Sequence, residues 1–116
     1  MKSFRFAAAA LAASALGAFA AAPAGDAARG RALYMKNMCY TCHGTVGQGG
    51  ERGSGPRITP HPFPWEAFVQ AVRRPREAMP RYAPEFVSDQ ELADIHAYLE
   101  SIKPGRKASE IPLLND

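Results

Sequence analysis

The 116-residue chain reads as a single helical domain, on three observations. Three stretches place apolar residues at helical spacing. Each is bounded by a capping residue or by proline, and the segments between them are rich in glycine or proline. No strand–helix–strand alternation surrounds them. The length leaves room for one domain, and a hydrophobic content of 47% is ordinary for a globular chain.

Asp26 is placed to cap a first helix over residues 27–38. Within it Gly30, Leu33, Tyr34 and Asn37 share a face. Glycine inside a helix costs about 1 kcal/mol relative to alanine, so Gly30 predicts a close crossing by another helix. A second helix begins with Pro64 at its first position and Glu66 in its first turn. Trp65, Phe68, Val69 and Val72 form its apolar stripe, and it stops near Arg73-Arg74, before Pro75. Ser88-Asp89-Gln90-Glu91 is a capping box opening a third helix that runs to about residue 103, where Pro104-Gly105 ends it. Leu92, Ile95, Leu99 and Ile102 are its buried stripe, Tyr98 flanks it, and His96 reads as a surface or boundary residue. The partner expected for this stripe is the Gly30/Tyr34 face of the first helix.

The start of the chain differs in character. Lys2 and Arg5 precede an alanine- and leucine-rich run from Phe6 to Phe19, followed by small residues and by Pro23-Ala24-Gly25. This is the pattern of a cleaved secretory signal over residues 1–22; the run is short for an uncleaved membrane anchor. A domain is then expected over 23–104 and a tail over 105–116. Two of the 14 Lys and Arg lie in the signal, leaving 12 against 11 acids. A nearly neutral mature chain gives no support to nucleic-acid binding. A domain of that size has a marginal core of its own, which a large apolar cofactor would supplement.

Such a cofactor is indicated by Cys39-Tyr40-Thr41-Cys42-His43. Two thiols three positions apart, followed at once by histidine, are the attachment pattern for c-type haem. Each thiol can add across one vinyl group, and the imidazole then serves as proximal iron ligand. A thioredoxin-like pair would want a βαβ setting. A zinc site would need two further ligands, and the chain has no third cysteine. Haem attachment would consume both thiols, leaving none for a disulfide.

Six glycines fall between residues 44 and 55. No lysine and serine or threonine follow in phosphate-loop order; the run is read as a tight wrap rather than a flexible linker. The carbonyl of Pro56 is placed to accept the imidazole N–H of His43, fixing its tautomer, and Ile58 to pack on the macrocycle. Trp65 is either an ordinary core residue or a donor from its indole N–H to a haem propionate. For the sixth iron position the candidates are Met35, Met38, Met79, His61 and His96, or no protein ligand. Met35 and Met38 precede the motif and reach the opposite face poorly. His61 sits in a proline-rich loop. Met79, in a loop long enough to return over the far face and stiffened by Pro80, is the strongest candidate.

With these residues in view the chain resembles the class I cytochromes c, of the small bacterial periplasmic monohaem type. The resemblance rests on Gly30 and Tyr34, on Cys39 to Gly44, on Gly55-Pro56, on Ala78-Met79-Pro80 and on Ser88 to Leu99. It implies an all-α fold with crossed first and last helices around one covalent haem, held by Cys39 and Cys42 and ligated by His43 and Met79. It also implies export to the periplasm and one-electron transfer. The carrier would be free or the electron-accepting subunit of a dehydrogenase, with a donor dehydrogenase, a terminal oxidase or another cytochrome as redox partner. The alternative is a haem enzyme or gas-binding protein with an open sixth position. Arg73, Arg74, Arg76 and Arg81, close together in sequence around Met79, suggest a basic docking patch; local pairing of these arginines is the competing reading.

Overall fold

The computed structural model describes residues 21–60 and 62–114. Nearly all of the expected signal segment, and His61, lie outside the described residues. The elements are α1 (Ala27–Lys36), a single turn α2 (Tyr40–His43), α3 (Trp65–Arg73) and α4 (Asp89–Ser101). Short 3-10 turns occur at Glu51–Gly53, Ala108–Glu110 and Pro112–Leu114. No strand occurs among the described residues, and none of their helices is long and apolar enough to cross a membrane.

The fold is built on the crossing of α1 and α4, its most extensive helix pairing. Gly30 is the crossing point: a Cβ there would sit 1.8 Å from the carbonyl oxygen of Asp94. Leu33 and Tyr34 from α1 meet Leu92, Ile95, Tyr98 and Leu99 from α4 in one core, completed by Phe68 and Val72 of α3 and by Val87. The capping box forms as expected, with Ser88 Oγ accepting from Glu91 N–H and the Glu91 carboxylate accepting from Ser88 N–H. Pro64 is the N-cap of α3 rather than its first residue, its carbonyl accepting the Phe68 N–H at 2.9 Å. In the tail Leu113 and Leu114 are exposed and Ile111 is half-buried.

Two features of the crossing are not evident in the sequence. The Asp94 carboxylate is fully buried, where an unpaired charge would be costly. It accepts from Arg29 Nε at 2.5 Å and from the Asp26 backbone N–H at 2.8 Å. The Arg29 guanidinium, together with these hydrogen bonds, holds the Asp94 carboxyl below the usual carboxylate range. A depressed native pKa adds stability that is present above the unfolded value near 3.9 and is lost as pH falls through the native one. Asp94→Asn should therefore unfold at lower denaturant than wild type at pH 5–7. The two midpoints should converge as pH falls below about 4; a gap independent of pH would mean that shape, not charge, is what Asp94 contributes.

The second feature is how α1 ends. The sequence suggested continuation to Met38, but the helix stops at Lys36 in a Schellman arrangement. Met38 takes the left-handed conformation at φ 59, its N–H bonds to Met35 O at 3.1 Å, and Cys39 N–H reaches back to Tyr34 O at 3.1 Å. Glycine usually holds this position, which is why the stop is hard to read. Met38 is 58% exposed, so little packing is at stake. Met38→Gly should relieve the Cβ penalty and raise stability by about 0.5–1 kcal/mol after glycine's entropic cost. The guanidinium unfolding midpoint of the intact protein checks this, and a fall would contradict it.

Candidate functional site

The reversal at Met38 turns the chain out of α1 so that Cys39 enters α2 facing a cleft. Two tyrosines then fix the backbone just after His43. Tyr34 Oη donates to Gly44 O and Tyr98 Oη to Thr45 O, each at 2.8 Å, one from each crossing helix. The glycine-rich segment folds back onto the same turn. Gly49 N–H donates to His43 O at 2.8 Å, and a Cβ at Gly55 would lie 2.5 Å from the Cys42 carbonyl oxygen. Only glycine permits that approach.

His43 Nδ1 lies 2.8 Å from Pro56 O. A carbonyl can only accept, so Nδ1 carries the proton and Nε2 is the nitrogen left with a free lone pair. The ring borders a cleft walled almost entirely by apolar groups. Of the residues singled out from sequence, Cys39, His43, Pro56, Ile58 and Met79 all line it. Burial pushes the Cys39 thiol up to about 11, as expected of a thiol facing an apolar wall.

Cys42 and Trp65 are not among the lining residues. Cys42 is half-buried beside the glycine-rich segment. Trp65 packs edge-on against His96, with ring centroids 5.8 Å apart, and also against Phe68. His96, read from sequence as a surface or boundary residue, is 6% exposed. Its Nε2–H donates to Phe63 O at 2.8 Å, tying α4 to the segment that leads into α3.

For Arg73 the structure favours local pairing, the competing reading of the arginine cluster, over a docking patch. Its side chain is only 13% exposed and pairs with Asp89, so it does not belong to a docking patch as that reading required; Arg74, Arg76 and Arg81 are exposed. Tyr82, unremarked in the sequence, lines the cleft and donates from Oη to Asn37 O at 2.8 Å. No local signal marks either contact, since the partners lie 9 to 45 positions away.

The family model described as cytochrome c oxidase, cbb3-type, subunit III matches residues 25–99. The chain belongs to this family of c-type cytochromes. The matched span takes in α1, α2, α3 and α4 as far as Leu99, with every residue named above as facing the cleft, and it stops short of the tail. The cytochrome is also 35% identical over 80 residues to the cytochrome bc1 complex cytochrome c subunit of Corynebacterium diphtheriae. That match covers 67% of this chain and 28% of the relative, so the cytochrome spans less than a third of that protein's length. No solved structure matches.

Membership implies haem c, and the cleft suits it on its own chemistry. An apolar wall accommodates a flat apolar macrocycle, a thiol faces into the space, and a histidine with one nitrogen tied back borders it. The cleft thus has the features of a haem c-binding domain.

Proposed function

We propose that this cytochrome is an exported one-electron carrier. Cys39 and Cys42 would tether a single haem c, and His43 Nε2 and Met79 Sδ would ligate its iron. The observation that carries this reading is the His43–Pro56 contact on a cleft shared with Cys39 and Met79. The haem supplies a reversible one-electron couple, with His/Met ligation favouring the reduced state.

The chain's own part is to hold that couple without chemistry. Pro56 fixes the tautomer and plane of His43, so its donor nitrogen is preset before and after each transfer. Ile58, Val72, Leu92 and Leu99 keep water from the cleft walls, limiting the reorganisation that accompanies a change of charge. A protein ligand at each axial position removes the need for any bond to substrate.

The partner is proposed to be another redox protein of the same compartment: a dehydrogenase, a terminal oxidase or a further cytochrome. The relative named as the cytochrome c subunit of the bc1 complex supports a place in or beside a larger complex, as a carrier or as a bound subunit. Export is supported by the basic start and apolar run at the N-terminus.

Intact-mass measurement on protein from the periplasmic fraction tests location and cofactor together. The expected mass is that of a chain starting between Ala21 and Gly25 plus one haem. A haem-bearing mass that still includes residues 1–20 would identify an anchor. Loss of the haem mass on mild acid extraction would sink covalent attachment.

A further inference from the structure

We infer that Arg73 is a positioning residue for Met79, locking the neck of the loop that carries it; this rests on Met79 being the sixth ligand. Residues 74–81 leave the end of α3 and return to it. The hydrogen bonds that tie this excursion to the body are concentrated at its neck. Tyr82 N–H donates to Val72 O at 3.2 Å, closing the loop on the last turn of α3. The Arg73 guanidinium then bridges three further points. One terminal nitrogen donates to Tyr82 O at 2.9 Å and to Val87 O at 2.7 Å, and the other to Asp89 Oδ1 at 2.5 Å. A single side chain thus joins the end of α3, the base of the Met79 loop and the first turn of α4.

The residue type fits the task. A planar, permanently charged fork can satisfy three acceptors at once, which a lysine ammonium on a flexible stem does poorly. Inside the loop, Pro75 and Pro80 have no N–H to donate. Glu77 sits at φ 58, a conformation disfavoured for a side chain of its kind. The excursion is therefore held by its neck and by the packing of Met79 against the core. Tyr82 both receives the Arg73 bond and lines the same cleft as Met79, so slack at the neck reaches the wall that Met79 shares.

The test is cyanide binding to the ferric holoprotein at saturating cyanide, where the rate is set by departure of Met79. It is paired with hydrogen exchange at the Tyr82 amide. Arg73→Gln should raise the limiting rate roughly tenfold to a hundredfold, the range for losing hydrogen bonds to a charged group. Arg73→Lys should fall between it and wild type, and Tyr82 amide exchange should accelerate in the same order. Arg29→Gln, which breaks the ion pair at the α1–α4 crossing, should lower global stability without changing the limiting rate.

A rate for Arg73→Gln within about twofold of wild type, or equal acceleration by Arg29→Gln, would overturn the inference. If Arg73→Gln does not accumulate, Asp89→Asn weakens one of the three bonds at an exposed carboxylate. A several-fold acceleration there supports the inference and none overturns it. The red charge-transfer band of methionine sulfur on ferric iron separates this result from the reading beneath it. Present in wild type and unaltered in kinetics by Arg73, it defeats only the positioning role; absent in wild type, it defeats the ligand assignment and the inference with it.

Discussion

Met79→Ala is expected to leave haem attached while removing the methionine-to-iron band and opening the sixth position to external ligands. In the proposed arrangement attachment depends on Cys39 and Cys42, and the tautomer of His43 depends on Pro56, none of which involves the Met79 side chain. With Met79 as the proposed sixth ligand, an external ligand of the wild type would have to wait for a minor conformer in which Met79 is displaced. If that conformer has a population of about 0.1–10%, deleting the sulfur should raise apparent cyanide affinity roughly 10- to 1,000-fold. The reduction potential should fall as well, because the thioether favours ferrous iron. Spectral titration with cyanide and a redox titration measure both effects on one preparation. A red band that survives in Met79→Ala would reject this ligand and return attention to Met35 and Met38.

The parts of the site legible in the sequence are those whose chemistry is local. Cys39, Cys42 and His43 stand out because one helical turn sets their spacing. Gly30 stands out because a mid-helix glycine is costly without a close neighbour, and the Asp94 carbonyl is that neighbour. Ser88 and Glu91 form their cap within four residues. What the sequence concealed depends on partners distant along the chain. His96 looked like a boundary residue because nothing near it in sequence announces that Phe63 O will meet its ring. Arg73 was open between a docking patch and local pairing, because two of its three acceptors are the carbonyls of Tyr82 and Val87, and carbonyls carry no signature of residue type. Met38 looked helical because a left-handed stop is advertised by glycine, and this one is made by methionine. Trp65 was open between two roles, and the structure sets its ring on His96 and Phe68.

Gly30→Ala should be among the most damaging single-methyl additions in the molecule, against the trend of helix propensity. On an exposed helix the change would stabilise by about 1 kcal/mol. Here the new Cβ would lie 1.8 Å from Asp94 O, 2.4 Å from Asp94 C and 2.9 Å from Ile95 N. These are backbone atoms of a helix that cannot yield as a flexible side chain would. Relief requires α1 and α4 to separate, which loosens Leu33 and Tyr34 from Leu92, Ile95 and Leu99. It also pulls Tyr34 Oη from the Gly44 carbonyl beside His43. Overpacking alone costs about 1–3 kcal/mol and more where backbones must part. A net loss of about 3 kcal/mol corresponds to a fall in Tm of roughly 12–24 °C for a domain of this size. Thermal unfolding of the holoprotein by circular dichroism measures it. Ala28→Gly, at an exposed position of the same helix, should cost only about 1 kcal/mol and calibrates the intrinsic effect. A Tm for Gly30→Ala equal to or above wild type would mean that the helices do not cross as closely as the Gly30–Asp94 contact requires.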